Sequence, residues 1–400
     1  MTDIWIVGAA RTPIGRYGGS FKSLHPAELG AVAARAALAR AGLDPATADV
    51  DEVFIGHARQ AGSGPNPARQ VGRRTGLPDT VPAQTINQAC ASGLQSVAHG
   101  ARAIAAGEAD LVLAGGIESM SRMPYLVDAD DARWGHKQGN FSFVDAMYRD
   151  GFACPLSNLI MGETAEILAR DYGITRDASD AYALESQRRA GRAIEAGAFT
   201  EEMAPVTVAQ RGGPVTVSAD EHPRPQTTAE SLAKLPLTFP EVEGQPGIIT
   251  AGSASGITDG GAAVVLASAE RVRALNVEPL ARIVGWATAA VDPRIMGIGP
   301  VPAVRKLLAR TGLTLDAFDL VELNEAFAPQ VLAVLRDLPF DPARVNVHGG
   351  AIALGHPIGC TGTRILVTLL HAMRQRQARR GLATLCVSGG LGMALAVERA

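Results

Sequence analysis

Aromatic side chains are scarce in this 400-residue chain, with 3 Trp, 5 Tyr and 10 Phe. Its cores must be filled by small and aliphatic residues, and the 44 glycines let backbones approach closely. Cysteine is rarer still. Cys90, Cys154, Cys360 and Cys386 are too few for a disulfide scaffold, and no C-x-x-C pair points to zinc, so no metal is expected. Reduced thiols suit a cytoplasmic compartment. Charge of neither sign dominates: 37 basic residues against 40 acidic give a net charge of −3, which excludes an obvious nucleic-acid binder. No run reaches the roughly 18 apolar residues of a membrane span, and the opening Met-Thr-Asp-Ile-Trp-Ile-Val-Gly has no basic stretch followed by an apolar one. Neither secretion nor a membrane span is expected.

What the chain does have is length and apolar content. At roughly 100–200 residues per domain, it allows two to four domains, and 47% hydrophobic residues can supply their cores. Ile4–Ala9 and Asp51–Gly56 read as strands, and Pro26–Ala41 reads as an Ala-rich helix capped by Gly42. A helix near Pro67–Thr75, a strand near Ala83–Gln88, a helix over Ser92–Ala106 and a strand Ala109–Ala114 ending at Gly115-Gly116 follow. Strands and helices alternate, which is an α/β pattern.

That order returns after residue 280. Ile6-Val7-Gly8 matches Ile283-Val284-Gly285, Val53–Gly56 matches Val321–Asn324, and Leu111–Gly116 resembles Leu385–Gly390, so a duplicated α/β fold is expected. Cys386 then occupies the duplicate position of Val112. Residues 119–250 differ in composition, with helices expected over Met161–Asp171 and Ser179–Ala196. They read as an inserted loop domain, between a first half of 1–118 plus 251–270 and a second half of 271–400. Thr250–Gly261 reads as a Gly- and Ser-rich turn leading into a strand over Ala262–Ala267. An insertion of this length usually marks function.

Cys90 stands in Asn87-Gln88-Ala89-Cys90-Ala91-Ser92-Gly93, between an expected strand and an expected helix. At a helix N-terminus, backbone N–H groups and the helix dipole would favour a nucleophilic thiolate, although a single cysteine is more commonly an inert core residue. A nucleophile needs a base, and His356 is offered by the Gly-rich string His348-Gly349-Gly350-Ala351-Ile352-Ala353-Leu354-Gly355-His356-Pro357-Ile358-Gly359. Cys386 ends a strand before Ser388-Gly389-Gly390-Leu391-Gly392, where a second thiol could exchange a proton with a carbon acid. Asn324, in Asn324-Glu325-Ala326-Phe327-Ala328, could hold a water or simply cap a turn. No G-x-G-x-x-G follows the first strand, which disfavours a nicotinamide-dependent dehydrogenase.

Taken together, these strings resemble the thiolase family, the acetyl-CoA acetyltransferases and 3-ketoacyl-CoA thiolases, over essentially the whole chain. The resemblance implies two similar βαβαβαββ halves in a five-layered α-β-α-β-α core, with the insertion as a loop domain that binds coenzyme A. It implies that Cys90 is acylated, that His356 activates it, and that Cys386 is the acid/base. One oxyanion hole would combine His356 with a water held by Asn324, and the other would combine the N–H groups of Cys90 and Ser388. Contacts to CoA and the thioester map onto Ser255, Gly256, Met161, Met296 and Phe327.

Three positions depart from the family pattern. Ser388 stands where glycine is usual, Ile160 stands where short-chain relatives often carry histidine, and His348 stands where many have asparagine. The implied activity is reversible CoA-dependent cleavage of 3-ketoacyl-CoA to acetyl-CoA and a shortened acyl-CoA, or the reverse Claisen condensation. CoA would serve as substrate and product with no tightly bound cofactor, and the family is dimeric or tetrameric, which implies a homodimer or homotetramer. A non-catalytic acyl-CoA-binding or carrier protein of the same fold is the alternative, and the presence of Cys90, Asn324, His356 and Cys386 argues against it.

Overall fold

The computed structural model describes residues 3–399. The first half runs β1 (Ile4–Arg11), α1 (Pro26–Arg40), β2 (Glu52–His57), α2 (Pro67–Thr75), β3 (Ala83–Ile86), α3 (Ser92–Ala106) and β4 (Leu111–Ser119). The main helices of the insertion are α4 (Met161–Asp171) and α5 (Arg176–Glu195), and the strand after it is β5 (Thr258–Ser268). Then come β6 (Ala281–Ala290), α6 (Pro300–Thr311), β7 (Leu320–Leu323), α7 (Ala328–Asp337), α8 (Ile358–Gln375), β8 (Arg380–Val387) and β9 (Leu391–Glu398). Helix α1 begins where His25 accepts the Ala27 N–H at 3.2 Å while Glu28 accepts the His25 N–H at 2.7 Å, a reciprocal cap. It ends one residue before the expected glycine: Ala41 is the cap, and Gly42 follows at φ 70°.

The strands form one ten-stranded sheet in the order β7-β8-β9-β6-β1-β5-β4-β2-β3, with Gly15–Arg16 added on β5. Within the sheet, the two halves pair through Trp5↔Arg282 and Ile6↔Ala281. Strand periodicity sorts side chains to two faces. Leu111 and Leu113 of β4 pack outward with Ala34, Leu38 and Val71 of α1 and α2, while Val112 and Ala114 pack inward with Leu94 and Val97 of α3. In the second half, Ala394 and Ala396 of β9 face Val304, Leu307 and Val331 of α6 and α7, while Leu395 and Val397 share the inner cluster with Ile365 and Leu369 of α8. The layers are therefore α1/α2, sheet, α3/α8, sheet and α6/α7.

The duplication is visible in the pairing register. The Ile-Val-Gly repeat marks the same bulge twice, between Ile6 and Gly8 against β5 and between Ile283 and Gly285 against β9. Following partners outward, Ile6 leads through Leu266 and Val112 to Glu52, and Ile283 leads through Val397 and Gly381 to Leu320. Val53 and Val321 are thus equivalent, as the repeat suggested. The third match is displaced: Val112 corresponds to Gly381, and Cys386 corresponds to Ile117. The two glycine pairs that suggested the match do different work. Gly115 and Gly116 lie within β4, where an added Cβ would fall 2.5 Å from the Ala262 oxygen and 2.4 Å from the Gly359 oxygen. Gly389 and Gly390 form a tight turn at φ 87° and 83°.

The same cause corrects two boundaries. Strand β4 continues through its glycines to Ser119, and β5 starts at Thr258, inside the stretch expected to be a turn. Helix α5 starts at Arg176, earlier than expected, because the Thr175 hydroxyl accepts the Ala178 N–H at 3.2 Å. The insertion is tied to the core by Arg11, which is fully buried. Its Nε donates to Glu202 at 2.5 Å, and its two terminal nitrogens donate to Asp220 at 2.7 and 3.0 Å.

Candidate active site

Helices α3 and α8 cross so closely at their N-terminal ends that only glycine fits. A Cβ on Gly93 would lie 2.7 Å from Thr363 Oγ1 and 2.9 Å from the Gly359 oxygen, and one on Gly362 would lie 2.3 Å from the Leu94 nitrogen. The Thr363 hydroxyl fastens the crossing by donating to the Gly93 carbonyl at 2.8 Å. Cys90 sits in the 3-10 turn Ala89–Ala91 that leads into α3, and His356 stands two residues ahead of α8. The close crossing therefore brings together residues 266 positions apart in sequence. Ala89 is held at φ 44°, a conformation L-residues seldom adopt, immediately before Cys90.

Backbone bonds draw the other strings to the same place. The Ser255 N–H donates to Ala326 O at 3.0 Å, Ala328 N–H to Ser253 O at 2.9 Å, and His356 N–H to Gly256 O at 3.2 Å. They surround a cavity of about 430 Å³ lined by Cys90, His356, Cys386, Ser388, Ser255, Gly256, Met161, Met296 and Phe327, among others. Asn324 is the one proposed site residue that does not line it. Asn324 lies buried just past β7, with its main chain donating to Thr384 O at 3.0 Å and neither side-chain polar atom partnered among the described residues.

Hydrogen bonding at Nδ1 favours one tautomer of His356. The Thr361 hydroxyl donates to Pro357 O at 3.0 Å, so its oxygen is free to accept the Nδ1–H of His356 at 2.6 Å. The lone pair is thereby left on Nε2, as a general base requires. Burial, then the charges of Arg364 and Arg59, push the imidazolium pKa down to about 3. The Cys90 thiol is pushed up by burial, against the opposing pull of Arg59 and of the Ser388 N–H and hydroxyl. Cys386 is pushed up by burial and by the neighbouring Cys90 sulfur. The thiolate expected from the helix end is thus opposed by desolvation, and His356 rests as the neutral imidazole.

This arrangement can transfer a proton from one sulfur to a nearby imidazole and hold a second thiol beside the same carbon. The chain matches two family models, the thiolase N-terminal domain over residues 4–270 and the thiolase C-terminal domain over residues 277–399. It is 49% identical over 400 residues to an acetyl-CoA acetyltransferase of Cupriavidus necator, covering all of both chains. It is also 49% identical to a β-ketoadipyl-CoA thiolase of Pseudomonas aeruginosa, covering 99% of each. A crystal structure of human mitochondrial 3-ketoacyl-CoA thiolase in complex with CoA superposes with TM-score 0.94 at 44% identity, covering 100% of this chain and 98% of that one. The chain belongs to the thiolase family.

Within this thiolase, the three departures from the family pattern separate. Ile160 lines the cavity, and its N–H donates to Glu163 at 2.7 Å to start α4. Ser388 lines the cavity, and its N–H and hydroxyl act to lower the Cys90 pKa. His348 lies elsewhere, edge-on to Phe199 at 5.8 Å between centroids, and Arg11 lies over that same ring. It belongs to the anchor of the insertion.

Three further residues escaped sequence reasoning. Thr361 could have been suspected, since it lies one helical turn after Pro357. Glu325 adjoins Asn324 and accepts from Tyr182, Ser186, Asn346 and the Ile352 N–H, which fixes the string it belongs to. Arg59 has no sequence signature at all.

Proposed function

We propose that this thiolase is an acyltransferase that cleaves 3-ketoacyl-CoA with free CoA, or runs the Claisen condensation in reverse, through a Cys90 thioester. The observation that carries the reading is the single cavity shared by Cys90, Cys386 and a histidine whose Nε2 is held as an acceptor. In cleavage, Cys90 Sγ gives its proton to His356 Nε2 and attacks the 3-keto carbon. The tetrahedral oxyanion is met by the N–H groups of Cys90 and Ser388. Its collapse breaks the C2–C3 bond, leaving the acyl group on Cys90 and an acetyl-CoA enolate that Cys386 protonates. CoA thiol then gives its proton to the Cys386 thiolate and attacks the Cys90 thioester carbon, and collapse breaks the C–S bond to Cys90, whose leaving thiolate takes back the proton held on His356.

A water held by Asn324 with His356 would stabilise the enolate oxygen, and two unpartnered buried amide atoms on Asn324 favour such a water. Coenzyme A is substrate and product, and no tightly bound cofactor enters the scheme. Residues 119–250 serve as the unit that closes the cavity over CoA, since Met120, Tyr148, Phe152, Met161 and Phe239 all line it. A homodimer or homotetramer is supported by β3, an edge strand paired on one side only and followed within four residues by Cys90. A cytoplasmic location is supported by four free cysteines and by the lack, among the described residues, of any helix long and apolar enough to cross a membrane.

Mass spectrometry after incubation with acetyl-CoA tests the assignment: an acetyl label is expected on Cys90, to be lost in Cys90→Ala and kept in Cys386→Ser, which should fail in carbon–carbon chemistry. A label on any other residue contradicts the scheme. Relatives of equal identity are named for acetyl-CoA and for β-ketoadipyl-CoA. Overall similarity therefore leaves the acyl group open.

A further inference from the structure

Arg59 follows the end of β2 and is only 8% exposed. Among the described residues it is the one permanently charged side chain lining the cavity, whose other walls are largely Met120, Phe152, Met161, Phe239, Met296 and Phe327. A guanidinium carries five N–H donors. One terminal nitrogen donates to Asp150 O at 2.9 Å and the other to Gly151 O at 2.7 Å, while Nε has no partner. No carboxylate of the described residues pairs with it. Glu118 accepts the main-chain N–H of Arg59 at 3.3 Å and turns its other oxygen to the Gly359 N–H at 2.9 Å, so it holds the backbone there.

A buried cation without a counter-ion is costly, and a cation held in an apolar wall beside a reacting centre is poised for an anion brought by the ligand. Its position says which part of the ligand. Arg59 lines the same cavity as Cys90 and His356, and its neighbour Ala58 packs in one apolar cluster with Cys90 and Ile358. The anion must therefore lie a short chain away from the carbon that Cys90 attacks, on the acyl group and not on the distant phosphates of CoA. We infer that the cavity takes 3-ketoacyl-CoA thioesters whose short acyl chain ends in a carboxylate paired with Arg59. This deepens the thiolase reading and rests on it.

The test compares thiolysis of 3-oxoadipyl-CoA with that of 3-oxohexanoyl-CoA, which has the same six-carbon acyl chain without the charge. Measurements use the full-length wild type, Arg59→Lys and Arg59→Met, with acetoacetyl-CoA as the reference substrate. The wild type should favour the carboxylated thioester by about tenfold or more in kcat/KM, chiefly through KM, as a charge-assisted hydrogen bond implies. Arg59→Met should abolish that ratio and Arg59→Lys should keep part of it. A role confined to the Cys90 thiolate would slow both thioesters equally and leave the ratio unchanged in Arg59→Met, which would overturn the inference. So would a wild-type ratio at or below one. Should Arg59→Met fail to fold, inhibition of the wild type by adipyl-CoA against hexanoyl-CoA decides the matter: tighter inhibition by adipyl-CoA is expected, and equal or weaker inhibition overturns the inference. Loss of acetoacetyl-CoA cleavage in the wild type would instead sink the thiolase reading itself.

Discussion

Replacing Thr361 with valine tests whether the His356 tautomer is set by one hydroxyl. The substitution keeps shape and removes Oγ1, which accepts the Nδ1–H at 2.6 Å and donates to Pro357 O at 3.0 Å. The Pro357 carbonyl is still satisfied, because it also accepts the N–H groups of Cys360 at 2.8 Å and Thr361 at 2.9 Å. The loss therefore falls on the imidazole. A buried donor left unpaired costs about 1–3 kcal/mol, and the ring can escape that cost by moving its proton to Nε2, which is the form unable to take a proton from Cys90. A bias of that size corresponds to about a 5- to 160-fold fall in kcat. Initial rates of acetoacetyl-CoA thiolysis would show it as a kcat effect with KM for CoA nearly constant, and Thr361→Ser should recover most of the rate. A valine variant that keeps more than half of the wild-type kcat refutes the reasoning.

Three other outcomes follow from the same geometry. Gly93→Ala places a Cβ 2.7 Å from Thr363 Oγ1 and 2.8 Å from its nitrogen, so calorimetry should show destabilisation by about 1–3 kcal/mol, with kcat falling as α3 and α8 are forced apart. An unchanged melting temperature would mean the crossing is loose. His356 titrates near 3 when folded and near 6.5 when unfolded, so between those values the unfolded chain binds more protons and stability falls as pH falls. Urea unfolding from pH 6.5 downward should show the wild type losing up to about 1.4 kcal/mol per pH unit more than His356→Asn, and parallel curves would count against a buried neutral imidazole. Ser388→Ala retains the backbone donor and deletes the hydroxyl, which should raise the apparent pKa for iodoacetamide alkylation of Cys90. A superimposable pH profile would show that the hydroxyl does not act on the sulfur.

Much of the fold could be read from local pattern. Helices α3 and α4 fall where periodicity and breakers put them, and the Ile-Val-Gly repeat marked a duplicated bulge. Glycine was the recurrent source of error. In a strand such as β4 it signals close backbone approach, in the 388–390 turn it signals positive φ, and the letters alone do not distinguish the two. The residues proposed as nucleophile, base and second thiol could be singled out because each sits in a string of unusual residues at an element boundary. Thr361, Glu325 and Arg59 were not, since their roles depend on what the fold places opposite them: a ring nitrogen, a helix from the insertion and an apolar cavity wall.

The corrected register also explains how one scaffold, used twice, yields a single site. Equivalent positions serve packing in the first half and chemistry in the second. Ile117, the counterpart of Cys386, is fully buried and lies against Gly30 of α1, where an added Cβ would meet its side chain at 2.6 Å. Gly56, the counterpart of Asn324, has no side chain because a Cβ there would strike the Ser92 carbonyl carbon at 2.2 Å, at the start of α3 just after Cys90. The first half therefore gives up functional groups at its strand ends so that α3 can sit low enough to present one sulfur. The second half carries at its strand ends Cys386, on the cavity wall, and the buried Asn324, the two groups proposed to act on the enolate. Introducing the second-half residue into the first half, as in Gly56→Asn, should therefore displace Cys90 and destroy the site, with no gain of a second one.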